Sequence, residues 1–223
     1  MSGWGKIAIG VRSANGGDAV FLRSWTRLIT KGLRKGDEVL DPVTELPHHY
    51  AANALVDTFL ASSKCNTLLW VDDDMVFPQD TLERLRKDPK TFNYDIMQAL
   101  YIQRKPPHYP LVIKKDPTSE TGHRLDPKPA KNTVVEVGVV GMGFTLMRRD
   151  MLMKMRKDKP KDKLLFYWGE NGDSEDACFC FNAQKAGYRL GVHTGITAGH
   201  RMGMVMDWDG EQLQVLTRKM VKK

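Results

Sequence analysis

The chain has little cysteine. Three thiols, Cys65, Cys178 and Cys180, are spread over 223 residues. An odd number cannot all pair, and Cys178 and Cys180 stand too close for an easy bridge within one helix. They read as buried, reduced thiols of a cytosolic protein, not as a disulfide framework. A structural zinc site would need more ligands at closer spacing. No apolar run approaches the roughly 20 residues of a membrane span. The amino terminus, Met1-Ser2-Gly3-Trp4-Gly5-Lys6, enters a strand almost at once, so no signal peptide is expected. The Gly-x-Gly-x-x-Gly turn of dinucleotide sites is missing after that first strand, which argues against such a cofactor. No internal repeat or low-complexity tract is present.

What is there suits one domain of ordinary size, with 41% hydrophobic residues and 9% aromatics to build a core. The net charge of +7 favours an anionic partner: nucleic acid, an acidic surface or a nucleotide. The excess is local. Residues 104–131 hold seven Lys/Arg against three acids, and residues 148–163 hold eight against three.

The chain turns on Thr67-Leu68-Leu69-Trp70-Val71-Asp72-Asp73-Asp74. An apolar run of strand length stops at three consecutive carboxylates. Acids at the carboxyl end of a buried strand lie where open α/β sheets bind ligands. Like charges this close favour a cation between them. Hard ions such as Mg²⁺ or Mn²⁺ take such oxygens and often share them with a substrate phosphate. The plainer reading is a solvated acidic turn ahead of a helix.

Around that stretch, periodicity predicts alternating strands and helices. Strands are expected at Lys6–Val11, Glu38–Pro42, Thr67–Val71 and Tyr94–Leu100, with helices after Asp18, at His48–Ser62 and at Gln79–Lys87. The alternation predicts an α/β fold with a mixed, mostly parallel sheet flanked by helices. The pattern then fails. Residues 103–131 hold six of the eleven prolines, with a short strand at Leu111–Ile113, and read as a long functional or mobile loop. Strands at Thr133–Val137 and Thr145–Met147 and a basic helix at Arg148–Lys157 follow. Gly138, Gly141 and Gly143 would let backbone approach a ligand or a strand closely. Ser174 fits the N-cap of a helix that Gly187 stops, with Glu175 and Asp176 in its first turn. Strands are expected over Arg189–His193 and Ile196–His200, and a terminal amphipathic helix over 211–223.

Several spaced landmarks together resemble one family, the nucleotide-sugar glycosyltransferases of the A-type (GT-A) fold, family 2-like, of the phage and bacterial type. Val71-Asp72-Asp73-Asp74 is similar to its Asp-x-Asp metal motif. Gly141-Met142-Gly143-Phe144 is similar to its glycine-rich acceptor loop. Ser174-Glu175-Asp176 opens the matching helix, and Gly199-His200 follows the next strand. The resemblance implies a Rossmann-like single domain: a nucleotide-sugar half over about 1–100, an acceptor half over about 101–210 and a helix over 211–223. It implies a divalent metal, Mn²⁺ or Mg²⁺, and a nucleotide-sugar donor, a UDP-sugar first. Asp74 and His200 would hold the metal. Asp72 would lie towards ribose or metal, and Asp73 adds a third acid, so the inner ligand among the three stays open. Arg12 and Ser13 would border the nucleobase, with Gly143 also on the cofactor side. Asp176, with Glu175 beside it, would be the general base for the acceptor hydroxyl, and an inverting displacement is the default. The setting would be the cytoplasm, a host's if the chain is phage-encoded.

For the acceptor, the basic stretches 104–131 and 148–163 suggest DNA, with a hydroxymethylated base flipped into the pocket. A glycan, lipid or protein hydroxyl is the alternative. Two other classes share the acids and basic charge: a metal-dependent nuclease and a non-catalytic nucleic-acid-binding protein.

Overall fold

The computed structural model describes residues 3–13, 17–159, 163–201, 205–208 and 213–216. The first strand, β1 (Ile7–Ser13), is apolar along most of its length and buried on both faces, as a central parallel strand must be. Asp18 then caps α1 (Ala19–Arg27) by accepting from the amides of Val20 and Phe21. Two short strands, β2 (Glu38–Val39) and β3 (Val43–Thr44), lie parallel to β1. They stand where one strand over 38–42 is expected; Pro42 lacks a ladder donor and splits it. Helix α2 (His48–Ser62) has the expected bounds. It leads to β4 (Thr67–Asp72), the apolar run that ends in the acids.

A two-residue strand, β5 (Met75–Val76), helix α3 (Thr81–Lys87) and β6 (Ile96–Leu100) complete this half. The proline-rich stretch is not an irregular loop. It holds a hairpin of β7 (Ile113–Lys115) and β8 (His123–Leu125), with Lys114 opposite Arg124. Its strands carry too few apolar residues to show a period of two, and the apolar Leu111-Val112 lies just before β7. The second half runs through β9 (Val134–Glu136), β10 (Phe144–Arg148), α4 (Arg149–Asp158), α5 (Glu175–Lys185), β11 (Leu190–Thr197) and β12 (Gly199–Arg201). Strands β13 (Val205–Trp208) and β14 (Leu213–Leu216) pair antiparallel. Residues 213–216 are thus a strand where the sequence suggests a helix. Leu-Gln-Val-Leu fits either period, and pairing with β13 decides it. The rest of the expected helix, 211–212 and 217–223, lies outside the described residues.

The main sheet has eight strands in the order β2-β1-β4-β10-β6-β11-β9, with β3 also on β1. Strands β1 to β4, β6 and β11 run one way, and β9 and β10 oppose them. The mixed, mostly parallel sheet read from the sequence is therefore present. Alternate residues face opposite cores. Ala8, Leu68 and Trp70 join α2, α4 and α5 on one face. Ile7, Ile9, Leu69 and Val71 join Phe21 of α1 and Leu82 and Leu85 of α3 on the other. The three cysteines are free and buried, as expected. Among the described residues no helix is long and apolar enough to cross a membrane.

The glycines before β10 serve this packing. Gly141 and Gly143 are both buried. A Cβ on Gly141 would meet the Tyr101 hydroxyl at 2.1 Å, and one on Gly143 would meet Met75 Sδ at 2.8 Å. The Gly143 amide donates to Tyr101 Oη at 3.0 Å. Gly143 therefore shows the close backbone approach that the glycine spacing predicts. Gly141→Ala should displace the Tyr101 ring and lower stability by roughly 1–3 kcal/mol. Urea denaturation checks this, and a loss under about 0.5 kcal/mol would contradict it.

Candidate active site

The carboxyl ends of β1 and β4 lie side by side, with Arg12 and Asp72 as register partners. That pairing puts the guanidinium against the carboxylate. Arg12 Nε donates to Asp72 Oδ1 at 3.0 Å and Nη2 to Oδ2 at 2.9 Å. Its third nitrogen, Nη1, lies 3.3 Å from Glu175 Oε1 at the start of α5. Trp70 Nε1 donates to Asp72 Oδ1 at 2.9 Å, and the Arg12 head lies 5.2 Å from the Trp70 ring centre. Burial opposes the charge on Arg12, but Asp72 above all, then Asp176 and Glu175, holds it firmly protonated. Asp72, read as a ribose or metal contact, is the ion-pair partner of Arg12, and Glu175 shares that cation. Through Arg12 both also tie the start of α5 to the sheet edge.

These carboxylates are nearly buried, with side-chain exposures of 19% and 8%. Arg12→Met would leave both charges without their cation, at a cost of roughly 3–5 kcal/mol. Arg12→Lys should recover only part of this, because an ammonium cannot replace the fork. Urea titrations of the two variants measure both effects, and equal stability of Met and Lys variants would refute the fork's role.

Asp73 ties the end of β1 to Gly17. Its Oδ2 accepts from Ser13 Oγ at 2.6 Å and from the Gly17 amide at 3.3 Å. Asp74 differs. Its Oδ1 is buried without a partner among the described residues, while Oδ2 lies 3.5 Å from His200 Nε2. β12, which carries His200, pairs with β5 just after the acids, and His200 stands opposite Met75. His200 Nδ1 is 2.8 Å from the Ile102 carbonyl. A carbonyl only accepts, so Nδ1 holds the proton and Nε2 presents its lone pair towards Asp74. Burial pushes the imidazole pKa down, which keeps the ring neutral and ready to ligate. The Arg104 guanidinium lies on Asp74 Oδ2, and Arg104 Nε donates to His200 Nε2 at 2.8 Å.

A carboxylate with one oxygen unpartnered among the described residues, next to a neutral, oriented imidazole, offers donor types that suit a divalent ion once Arg104 gives way. Among the described residues no group of three or more His, Cys, Asp or Glu is arranged for a metal. Asp74 and His200 could supply two ligands of an open site, of the kind that Mg²⁺ and Mn²⁺ complete with phosphate and water. All three acids of the triplet, with Arg12, Ser13 and Arg104, line one cavity of about 310 Å³. Arg201, paired with Asp18, lines it too.

Asp176 stands behind Arg12. The residue is half-buried, and its Oδ1 is closed to solvent and without a partner among the described residues. Burial pushes its pKa up to about 7, against the opposing pull of Arg12; Glu175 and Asp72 raise it further. A carboxyl poised near neutrality is suited to proton transfer. The buried Tyr101 lies in the same field: its hydroxyl is pushed well above its ordinary value, by burial first and by Asp176 next. Its ring meets His200 edge-on at 5.4 Å.

The fold therefore gathers Arg12, Ser13, Asp72, Asp73, Asp74 and His200, with Glu175 joined through Arg12 and Asp176 within the field of that cation. Arg104 and Tyr101 escape sequence reasoning as site residues. Arg104 counts there only as one basic residue among many, and its contact to His200 spans 96 positions. The basic stretches are largely committed. Lys114 pairs with Asp126 and Arg124 with Asp116. Arg148 and Arg149 donate to backbone carbonyls, Arg156 pairs with Asp57 and Lys154 with Asp158.

No protein-family model matches the chain, and no curated protein matches its sequence. Solved structures do match. The crystal structure of A197 from STIV has a TM-score of 0.66 at 17% identity, covering 95% of this chain and 94% of that one. The crystal structure of GalNAc-T7 with UDP, GalNAc and Mn²⁺ has a TM-score of 0.59 at 12% identity. The fold is that of the A-type glycosyltransferases. The match covers 93% of this chain but 44% of the GalNAc-T7 chain, so this chain spans under half that length. At these identities the likeness establishes the GT-A-like architecture alone.

Proposed function

We propose that the chain is a metal-dependent glycosyltransferase that moves a sugar from a nucleotide-sugar donor, a UDP-sugar first, to an acceptor hydroxyl with inversion. The observation that carries this is the Asp74 carboxylate beside His200 Nε2 at the sheet edge: its Oδ1 has no partner among the described residues, and its Oδ2 shares Arg104 with the imidazole. The matched GalNAc-T7 structure holds UDP and Mn²⁺, which supports the same donor and metal here.

In this reading Asp74 and His200 hold the divalent ion. When bound, the ion supplies Lewis-acid stabilisation of the diphosphate as it leaves. Arg12 fixes Asp72 and keeps α5 at the cavity. Asp176 accepts the proton of the acceptor hydroxyl as its oxygen bonds to the sugar's anomeric carbon and the bond from that carbon to the phosphate oxygen breaks. The products are the glycoside and the nucleoside diphosphate.

For the acceptor we favour a glycan, lipid or protein hydroxyl. Trp168, 57% exposed just ahead of α5, offers a face on which a sugar can stack. A hydroxymethylated base in DNA is the second reading, supported by the net charge of +7. The pairing of Lys114 and Arg124 with acids weakens it. Calorimetric titration of UDP with Mn²⁺ and with EDTA tests the donor site. Metal-dependent binding supports the proposal. No binding of UDP, GDP or TDP, together with Mg²⁺-dependent cleavage of plain DNA, would overturn it in favour of a nuclease.

A further inference from the structure

Arg104 lies at the lip of the cavity, in a loop tied at its base by the Ile102–Pro110 bridge and by the Gln103 amide donating to Tyr109 O at 3.0 Å. Its side chain is 54% exposed, yet its head group sits on both groups that would ligate the ion. One nitrogen meets Asp74 Oδ2 and another donates to the Nε2 lone pair of His200. A guanidinium there neutralises Asp74 and blocks His200 at the same time. A divalent ion cannot share those atoms with it, because the lone pair of Nε2 has room for one partner and the two cations repel.

We infer that Arg104 is a displaceable cation that competes with the divalent ion for Asp74 and His200, and that, once displaced, it meets the donor diphosphate. The inference rests on the glycosyltransferase reading of this site. Exposure of the side chain lets the head group move without disturbing the core. A diphosphate gives the displaced guanidinium a bidentate anionic partner in the same cavity, where Arg201 also stands. Metal and nucleotide diphosphate therefore bind cooperatively: each removes part of the cost of binding the other, and the coupling is reciprocal. The device keeps the site closed to metal alone.

The test is a binding cycle in Mn²⁺ and UDP, read by calorimetry and by the electron paramagnetic resonance of free Mn²⁺, on wild type, Arg104→Met and Lys105→Met. Lys105 is an exposed neighbour and serves as the control. In wild type, UDP should tighten Mn²⁺ at least about tenfold. In Arg104→Met, Mn²⁺ alone should bind about tenfold or more tighter, while UDP binding at saturating Mn²⁺ should weaken about tenfold. Lys105→Met should follow wild type. Opposite shifts on the two ligands are not expected of a residue that merely supports the loop. Wild type that binds Mn²⁺ with UDP, beside an Arg104→Met variant with unchanged Mn²⁺ affinity, would overturn the role of Arg104 and leave the glycosyltransferase reading standing. No Mn²⁺ binding in wild type even with UDP would overturn both.

Discussion

Replacing Asp176 by Asn is expected to lower sugar transfer by about 10³-fold while leaving UDP and Mn²⁺ affinity within about twofold. General bases contribute roughly 10²–10⁴ in rate, and Asp176 is absent from the Asp74–His200 pair. With a pKa of about 7, wild-type activity should rise with pH as the carboxyl deprotonates and level off above about pH 8. The residual activity of the Asn variant should lack that rise. The same substitution should stabilise the fold at alkaline pH. The folded pKa is raised from the ordinary 3.8 to about 7. The protonated carboxyl therefore contributes stability that is fully present below about pH 4. That contribution is lost as pH rises through about 7. At pH 8 wild type holds a buried charge that the Asn variant does not. The variant should be more stable there by an amount of order 1–4 kcal/mol, and the gain should vanish near pH 4. Thermal melts at the two pH values give the answer. A variant less stable than wild type at pH 8, with a wild-type pH–rate profile, would remove Asp176 from the role of base.

Asp74→Ala should abolish Mn²⁺-dependent UDP binding, weakening it by 10²-fold or more, and transfer should fall with it. The carboxylate is one of only two protein ligands proposed, so its loss leaves His200 and the diphosphate to hold the ion. Stability should change little or rise, because wild type buries an unpartnered oxygen at this position. Asp73→Ala makes the contrast. Asp73 accepts from Ser13 and Gly17, so its removal should loosen the tie between β1 and Gly17 more than it affects Mn²⁺. Manganese resonance titrations of the two variants separate these roles. Equal loss of Mn²⁺ in both would mean that the triplet acts as a unit.

Much of this architecture is legible in the residues themselves. The apolar run 67–71 ending in three acids, the cap at Asp18, the helix at 48–62 and the Ser174 cap all rest on local rules, and their elements stand where those rules place them. The acidic edge marks Asp74 locally, and the family resemblance adds His200 and Asp176 as candidates. The division of labour among the carboxylates is not local. Asp72, Asp73 and Asp74 are consecutive and chemically identical. They differ because β1 brings Arg12 beside the first and Ser13 beside the second, about 60 residues upstream, and leaves one oxygen of the third without a partner. Glu175 and Asp176 are likewise adjacent. Arg12 pairs with the first, and burial lifts the second towards neutrality.

The sequence by itself determined the alternating α/β order, the acidic edge and the reduced thiols, because each depends on periodicity or on neighbours a few positions apart. The tertiary structure alone decided the hairpin within 103–131, the strand at 213–216 and the seat of Arg104 on Asp74 and His200. Each of these depends on pairing or packing partners that the residue types do not specify, and for Arg104 the partner lies 96 positions along the chain.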